Sequence, residues 1–324
     1  VIAWLYAAFV LLILLLLALD LGVFNRAAHV IGVREALAWT VLWIVAALLF
    51  NVAVYFLYEH HVFGLGLEPE HLEDGATAAI QFLLGYVIEK SLSLDNIFVM
   101  AVIFEYFRVP AIYQHRALFW GIVGALLMRG VMIAAGAVLI NRFHWIIYVF
   151  GVLLILTAIK MLLAHDREMD PGRNPLVRLA RRVYPVSTTF DGQRFFTRID
   201  GRRCITPLFL ALLVIESSDV LFAIDSIPAI FAITRDPFLV FTSNVFAILG
   251  LRSLYFALAA MLDKFKYLKF SLVFLLAYVG VKMLVSAHVE IPHVASLAVI
   301  ATALAVGVLA SVLRSRRTEG TSTP

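Results

Sequence analysis

Apolar runs of nearly uniform length alternate with short polar connections along this chain. About 20 apolar residues wound as α-helix cross the roughly 30 Å hydrocarbon layer of a bilayer. Helices are therefore predicted near 1–20, 37–57, 77–104, 117–140, 145–163, 205–232, 238–260, 268–286 and 293–313. The pattern predicts an all-α polytopic membrane protein with nine transmembrane helices. The first run begins at Val1 with no basic stretch before it and no small-residue cleavage site after it, so it reads as a retained helix rather than a signal peptide. One connection is long and polar. It spans 164–204, carries Pro171, Pro175 and Pro185, and alternates loosely around Asp200-Gly201, a two-residue hairpin signal.

Composition strengthens this picture. Hydrophobic residues make up 63% of the chain and charged residues 15%, with a mean hydropathy of +0.96, which excludes a soluble domain. The net charge of +4 would suggest nucleic acid as a partner in a soluble chain, but here the basic residues are sorted by side. Alternate connections hold Arg26 and Arg34, Arg108 and Arg116, the arginines from Arg167 to Arg203, Lys264, Lys266 and Lys269, and Arg314, Arg316 and Arg317. The opposite connections hold only Arg142 and Arg235. The positive-inside rule then places the N-terminus outside and the C-terminus in the cytoplasm, even with 164–204 left out. The basic charge of 164–204 suits anionic headgroups, but an ordinary solvated connection is the simpler reading. The connection after the second helix is acidic, with Glu59, Glu68, Glu70, Glu73 and Asp74 beside His60, His61 and His71, and reads as a solvated loop. The single Cys204 excludes an internal disulfide and a thiolate metal cluster within one chain.

Two of the predicted helices contain carboxylates: Glu89 and Asp95 in the third, Glu216, Asp219 and Asp225 in the sixth. A charge at the centre of a bilayer helix costs roughly 2.5–3.5 kcal/mol on insertion scales, so five unpartnered acids would be prohibitive. The two helices are also related. Leu92-Ser93-Leu94-Asp95-Asn96-Ile97 aligns with Phe222-Ala223-Ile224-Asp225-Ser226-Ile227, and Glu89 falls on Asp219 at the same offset. Farther along, Leu126-Leu127-Met128-Arg129 corresponds to Leu249-Gly250-Leu251-Arg252, and Ile159-Lys160-Met161-Leu162 to Val281-Lys282-Met283-Leu284. Each unit holds three helices, an odd number, so helices 3–5 and 6–8 are expected to form two inverted repeats, a recurrent transporter architecture. The chain then divides into peripheral helices (1–66), a first repeat (77–163), a cytoplasmic loop (164–204), a second repeat (205–286), a ninth helix (287–313) and a cytoplasmic tail (314–324).

Clustered carboxylates are expected to hold a hard cation. Glu89, Asp95, Asn96, Glu216, Asp219, Asp225, Ser226 and Asn244 supply carboxylate, amide and hydroxyl oxygens, a set that suits Mg, Ca or Mn over zinc or copper. Lys90, Arg129 and Arg252 are the intramembrane cations expected to balance charge, the two arginines by clamping carboxylates. A packing-only reading of the acids leaves three bases for five acids. Lys160 and Lys282, near helix ends, can snorkel and receive no role. Asp20 ends the first helix, where exposure is cheap. Helix geometry poses a difficulty, because Glu89 and Asp95 lie about 120° apart on an ideal helix and Glu216 and Asp225 on opposite faces. Pro228 removes the hydrogen bond to the Ile224 carbonyl, so a sixth helix broken beside Asp225 is expected. The alternative is two sites at different depths.

The run from Glu89 to Asn96 and the run from Glu216 through Ile227-Pro228 to Phe231 resemble the two signatures of the TerC family, in particular its Alx-type branch. Thr242-Ser243-Asn244 through Arg252, and Asp20-Leu21-Gly22-Val23-Phe24, extend the resemblance over nearly the whole chain, and all five acids are kept. The resemblance implies manganese export and metal homeostasis, kinship with the LysE superfamily, and metal handling by Glu89, Asp95, Glu216, Asp219 and Asp225.

The sequence-based expectation is a multi-pass protein of the bacterial inner membrane that exports Mn2+ as transported substrate. No tightly bound cofactor is expected. Its partners are the metal ion and the lipid bilayer, with assembly into a homo-oligomer left open. Rival readings are export of Ca2+, a tellurium species or a basic amino acid, or a non-transporting scaffold or metal sensor. An enzyme is not expected, because no nucleophile–base pair, phosphate loop or cofactor motif is present.

Overall fold

A backbone passing through hydrocarbon must satisfy its N–H and C=O groups within its own segment, and the apolar runs do so as helices. The computed structural model describes residues 2–22, 32–68, 71–143, 145–163, 171–199, 201–258, 268–286, 289 and 291–320. The helices are α1 (Ile2–Gly22), α2 (Val33–Glu59), α3 (Gly75–Tyr106), α4 (Ala111–Arg142), α5 (Ile146–Leu163), α6 (Pro175–Val183), α7 (Pro207–Phe231), α8 (Pro237–Leu249), α9 (Leu251–Leu258), α10 (Leu268–Val285) and α11 (His293–Gly320). Each predicted segment is helical over most of its described part; the exceptions are Ile205, which lies in a strand, residues at segment ends, and Gly250. Among the described residues, six helices are long and apolar enough to cross a membrane: α2, α4, α5, α7, α8 and α9 taken together, and α11 to Ser311.

Apolar side chains fill the core and also cover much of the surface, while a cluster of polar side chains is buried among them. Large apolar side chains such as Leu11, Val131, Leu156 and Leu163 are exposed, whereas Glu89, Asn96, Arg129, Asp219, Ser226 and Asn244 are buried. An apolar surface over buried polar groups is what a chain solvated by lipid requires.

α3 packs along α8 and α4 along α7; α3 also meets α7, α4 meets α8, and α5 lies along α10. Exchanging α3, α4 and α5 for α7, α8 and α10 maps this set of contacts onto itself. Glycines set the closeness of the α5–α10 pair. A Cβ on Gly280 would come within 2.9 Å of the Gly151 carbonyl, and one on Gly151 within 3.0 Å of the Gly280 carbonyl. Gly151 lies near the start of α5 and Gly280 near the end of α10, so the two helices run antiparallel.

The expected break in the sixth predicted helix is corrected. α7 runs unbroken through Pro228, which lies three residues from its last residue, Phe231, and so removes only one bond close to the end. The interruption falls instead in the seventh predicted helix, at Gly250 between α8 and α9. There the Lys90 ammonium donates to the Ala247 carbonyl at 3.1 Å, satisfying an acceptor that the interruption leaves without its helical donor.

The long connection is structured. β3 (Phe196–Ile199) and β4 (Arg202–Ile205) form the expected hairpin, with Ile199 opposite Arg202 and Gly201 at φ +76° in the turn. Val177 of α6, together with Ile205 and Leu208, is buried against the ends of α3, α4 and α9. The acidic connection contains a short hairpin, β1 (Leu67–Glu68) with β2 (His71–Leu72), and ends at Asp74, which caps α3 by accepting from the Thr77 N–H at 2.9 Å. That hydrogen bonding holds the Asp74 carboxyl below the usual carboxylate range.

Candidate ion-binding site

The acids and their partners meet where α3, α4, α7 and α8 cross. α4 brings in Arg129, which is fully enclosed. A guanidinium carries five N–H donors in a rigid fork, and this one spends them on both halves of the structure. Its Nε and Nη2 donate to the two carboxylate oxygens of Asp219 on α7, at 3.2 and 3.0 Å, a bidentate pair. Its Nη1 donates to Glu89 Oε1 on α3, and stands 3.3 Å from both Ser226 Oγ and Asn244 Oδ1. Asn244 in turn donates to Glu89 Oε2 at 3.2 Å, and Asn96 to Asp219 Oδ1 at 3.4 Å. Glu89, Asp219 and Arg129 thus form one buried, hydrogen-bonded charge network of net −1.

Beside this network lies a cavity of about 230 Å3. Glu89, Asp95, Asn96, Asp225 and Ser226 line it, together with Arg129, Thr157 and Lys160. Asp225 accepts a hydrogen bond from Thr157 Oγ1 on α5 at 2.8 Å. The Asn96 amide oxygen is buried without a hydrogen-bond partner, an acceptor with spare capacity at the wall of an acidic cavity. A crevice of about 10 Å3 continues between α3 and α7, past Asn96, Val99, Ser218 and Asp219, toward the end where α6 and the β3–β4 hairpin pack.

The structure therefore places seven of the eight expected oxygen-bearing residues in the network or the cavity wall, and separates the eighth. Glu216 lies half-buried against Gly124 of α4, where a Cβ would overlap its carboxylate. The reason is the helix geometry noted from sequence: with α7 unbroken, Glu216 and Asp225 point to opposite faces. The donors do not close into a single cage in this conformation, and among the described residues no three His, Cys, Asp or Glu side chains form a group that could hold a metal ion. Of the expected counter-charges, Arg129 clamps carboxylates as anticipated. Lys90 turns toward the α8–α9 break, and Arg252 on α9 stands 2.8 Å from His115 Nε2 on α4. The described residues include Asp20, but not the setting of its side chain; Val23 and Phe24 lie outside them.

Two polar wall residues were not assigned to the site from sequence, Thr157 and Lys160. Lys160 belongs to the recurring Lys-Met-Leu triplet, and its recurrence was the available signal. Thr157 lies one helical turn before Lys160 and so shares its face.

Comparison with known proteins places the chain among integral membrane proteins. The family model described as integral membrane protein TerC family matches residues 74–319. An uncharacterised membrane protein of Myxococcus xanthus is 51% identical over 312 residues, covering 96% of this chain and 93% of that protein. Alx of Escherichia coli K12, which its name proposes to be a membrane-bound redox modulator, is 43% identical over 297 residues, covering 91% and 90%. An uncharacterised membrane protein of Rickettsia bellii is 39% identical over 303 residues, covering 94% and 95%. No solved structure matches the chain. By the extent of the family match and the identity to full-length relatives, the chain belongs to the TerC family of integral membrane proteins.

Proposed function

We propose that this chain is an inner-membrane transporter that exports Mn2+ from the cytoplasm, through the acidic site between two inverted three-helix units, α3–α5 and α7–α10. One observation carries the reading. Carboxylates from both units, Glu89 and Asp219, share a single cation, the Arg129 guanidinium, at the edge of a cavity walled by two further acids, Asp95 and Asp225. A site that balances buried acids with one internal cation can exchange part of that balance for a metal ion.

In this reading the ion loses its water in the cavity to Asp95, Asp225, the Asn96 amide oxygen and Ser226. Glu89 is the carboxylate shared between cargo and protein, and it turns from Arg129 to the ion as the ion arrives. Asp219 keeps the guanidinium in place through its bidentate pair, so the arginine does not follow. Lys160 in the wall limits how tightly a divalent ion is held, which favours release. The two-fold exchange of helix contacts supports rocking of one unit against the other, and the crevice between α3 and α7 supports entry from the side where α6 packs. The orientation adopted is that of the basic residues, with that side cytoplasmic.

The name of the Escherichia coli relative fits this reading. A chain whose only cysteine is buried has no dithiol of its own, so an influence on redox balance would act through its cargo, and manganese is redox-active.

The test is metal content and flux. Cells carrying Asp95→Asn or Asp225→Asn at wild-type protein levels are expected to accumulate manganese. Purified protein in vesicles should move Mn2+, with Ca2+ as competitor and with and without an imposed pH gradient. Unchanged manganese content together with no flux would overturn the proposal; flux of Ca2+ in preference to Mn2+ would change the cargo.

A further inference from the structure

α6 turns a different chemistry to each side. On a helical wheel Val177 and Ala180 share one face, which packs into the core beside Ile205 and Leu208. Leu179, Val183 and Leu176 occupy an adjoining arc of about 60° and are 58, 62 and 41% exposed. Arg178, Arg181 and Arg182 take the remaining arc and are exposed as well. Burial of the first face accounts for the attachment of α6 to the protein but leaves the second uncovered. Tyr184, Phe196 and Ile199, all exposed, add apolar surface beyond the helix.

The helix is tied to a membrane-spanning element at its start. Asn174 caps it by accepting from the Leu176 N–H at 2.9 Å, and donates to Ser217 Oγ on α7 at 2.7 Å. Among the described residues around it the exposed charge is mostly basic. In the described parts of 171–205, eight arginines are exposed, while the only acid is Asp191, 3.5 Å from Arg194. A short helix with an unburied aliphatic strip, a basic opposite face and a tether to a spanning helix has the attributes of an element lying in the plane of a membrane interface.

We propose that α6 lies in the headgroup layer and docks on anionic phospholipid, with Leu176, Leu179 and Val183 inserted below the headgroups and Arg178, Arg181 and Arg182 meeting their phosphates. A solvated connection would leave the aliphatic strip in water, and a zwitterionic surface would leave the arginines without counter-charge. The proposal does not depend on what the chain transports.

The experiment uses the full chain with Cys204→Ser and a single nitroxide at Leu179→Cys, at Arg181→Cys, or at Thr188→Cys as an exposed control. The protein is reconstituted in nanodiscs of phosphatidylcholine with or without phosphatidylglycerol. Relaxation by oxygen, which partitions into lipid, is compared with relaxation by a water-soluble nickel chelate. With phosphatidylglycerol present, the label at 179 is expected to favour oxygen severalfold over the chelate, and the label at 188 the reverse, with 181 between them. Removing phosphatidylglycerol, or introducing Arg178→Gln, Arg181→Gln and Arg182→Gln together, should bring 179 toward the value at 188. Chelate access at 179 equal to that at 188 in anionic discs overturns the proposal in favour of a solvated loop. Shielding of 179 from both reagents overturns it in favour of a protein contact. A lipid signature identical in both kinds of disc overturns the anionic part.

Discussion

Arg129 is the side chain on which the polar interior turns. Removing one partner of a buried ion pair is strongly destabilising because it strands the other charge, at about 3–5 kcal/mol. Arg129→Leu should therefore lower the thermal midpoint in detergent sharply, as followed by size-exclusion chromatography after heating. Glu89→Gln and Asp219→Asn added to Arg129→Leu should recover much of the loss, since no uncompensated charge is then left behind. Lys160 makes the opposite kind of prediction. It lines the cavity without a place in the Arg129 network, so Lys160→Gln should leave folding intact and tighten Mn2+ binding measured calorimetrically, while slowing turnover in vesicles. The acids, amides and arginines of this interior could be nominated from sequence, because charge inside an apolar run is conspicuous. Which acid faces which cation could not. Lys90 stands next to Glu89 in sequence, yet it points to the Ala247 carbonyl, while Arg129, forty positions from Glu89, takes up that carboxylate.

At the level of elements, the ends and crossings of helices decide how the site is held. Asp236 caps α8 through the N–H groups of Phe238 and Leu239, at 2.8 and 3.4 Å, and also accepts from the Tyr58 hydroxyl of α2 at 2.6 Å. Asp236→Ala removes both roles and should cost about 1–3 kcal/mol, whereas Asp236→Asn keeps an oxygen for the cap and should cost less, as read from unfolding midpoints. The α5–α10 crossing has no spare room at Gly280, where a Cβ would sit 2.9 Å from both the Gly151 carbonyl and Ile155 Cγ1. Gly280→Val should force these helices apart at a cost of about 1–3 kcal/mol. Element positions were legible in the chain because run length and hydropathy depend only on local sequence. The break was misread because proline and glycine are both punctuation. Pro228 sits too close to a helix end to matter, and Gly250 interrupts α8–α9 where Lys90 is available to satisfy a carbonyl.

For the whole molecule, the arrangement of side chains is consistent with lipid outside and charge within, and the proposed orientation can be read directly. In a Cys204→Ser background, cysteine at His60 should react with an impermeant maleimide in intact spheroplasts. Cysteine at Thr188 should react only after the membrane is opened; the reverse pattern would invert the proposed direction of transport. Membrane residence, helical class and the presence of charged positions that need partners are consequences of the linear chain, since a 20-residue apolar run has one economical conformation in hydrocarbon and a charge inside it must be compensated. The letters also carry a match between the two acidic stretches and the segments after them, in aligned acids, arginines and lysines. The division of labour among the acids was not legible there. Helix rotation and packing set Glu89 and Asp219 around Arg129, opened a cavity between Asp95 and Asp225, and left Glu216 against Gly124. Those outcomes depend on distances between segments far apart in the chain, and such distances exist only once the helices have packed.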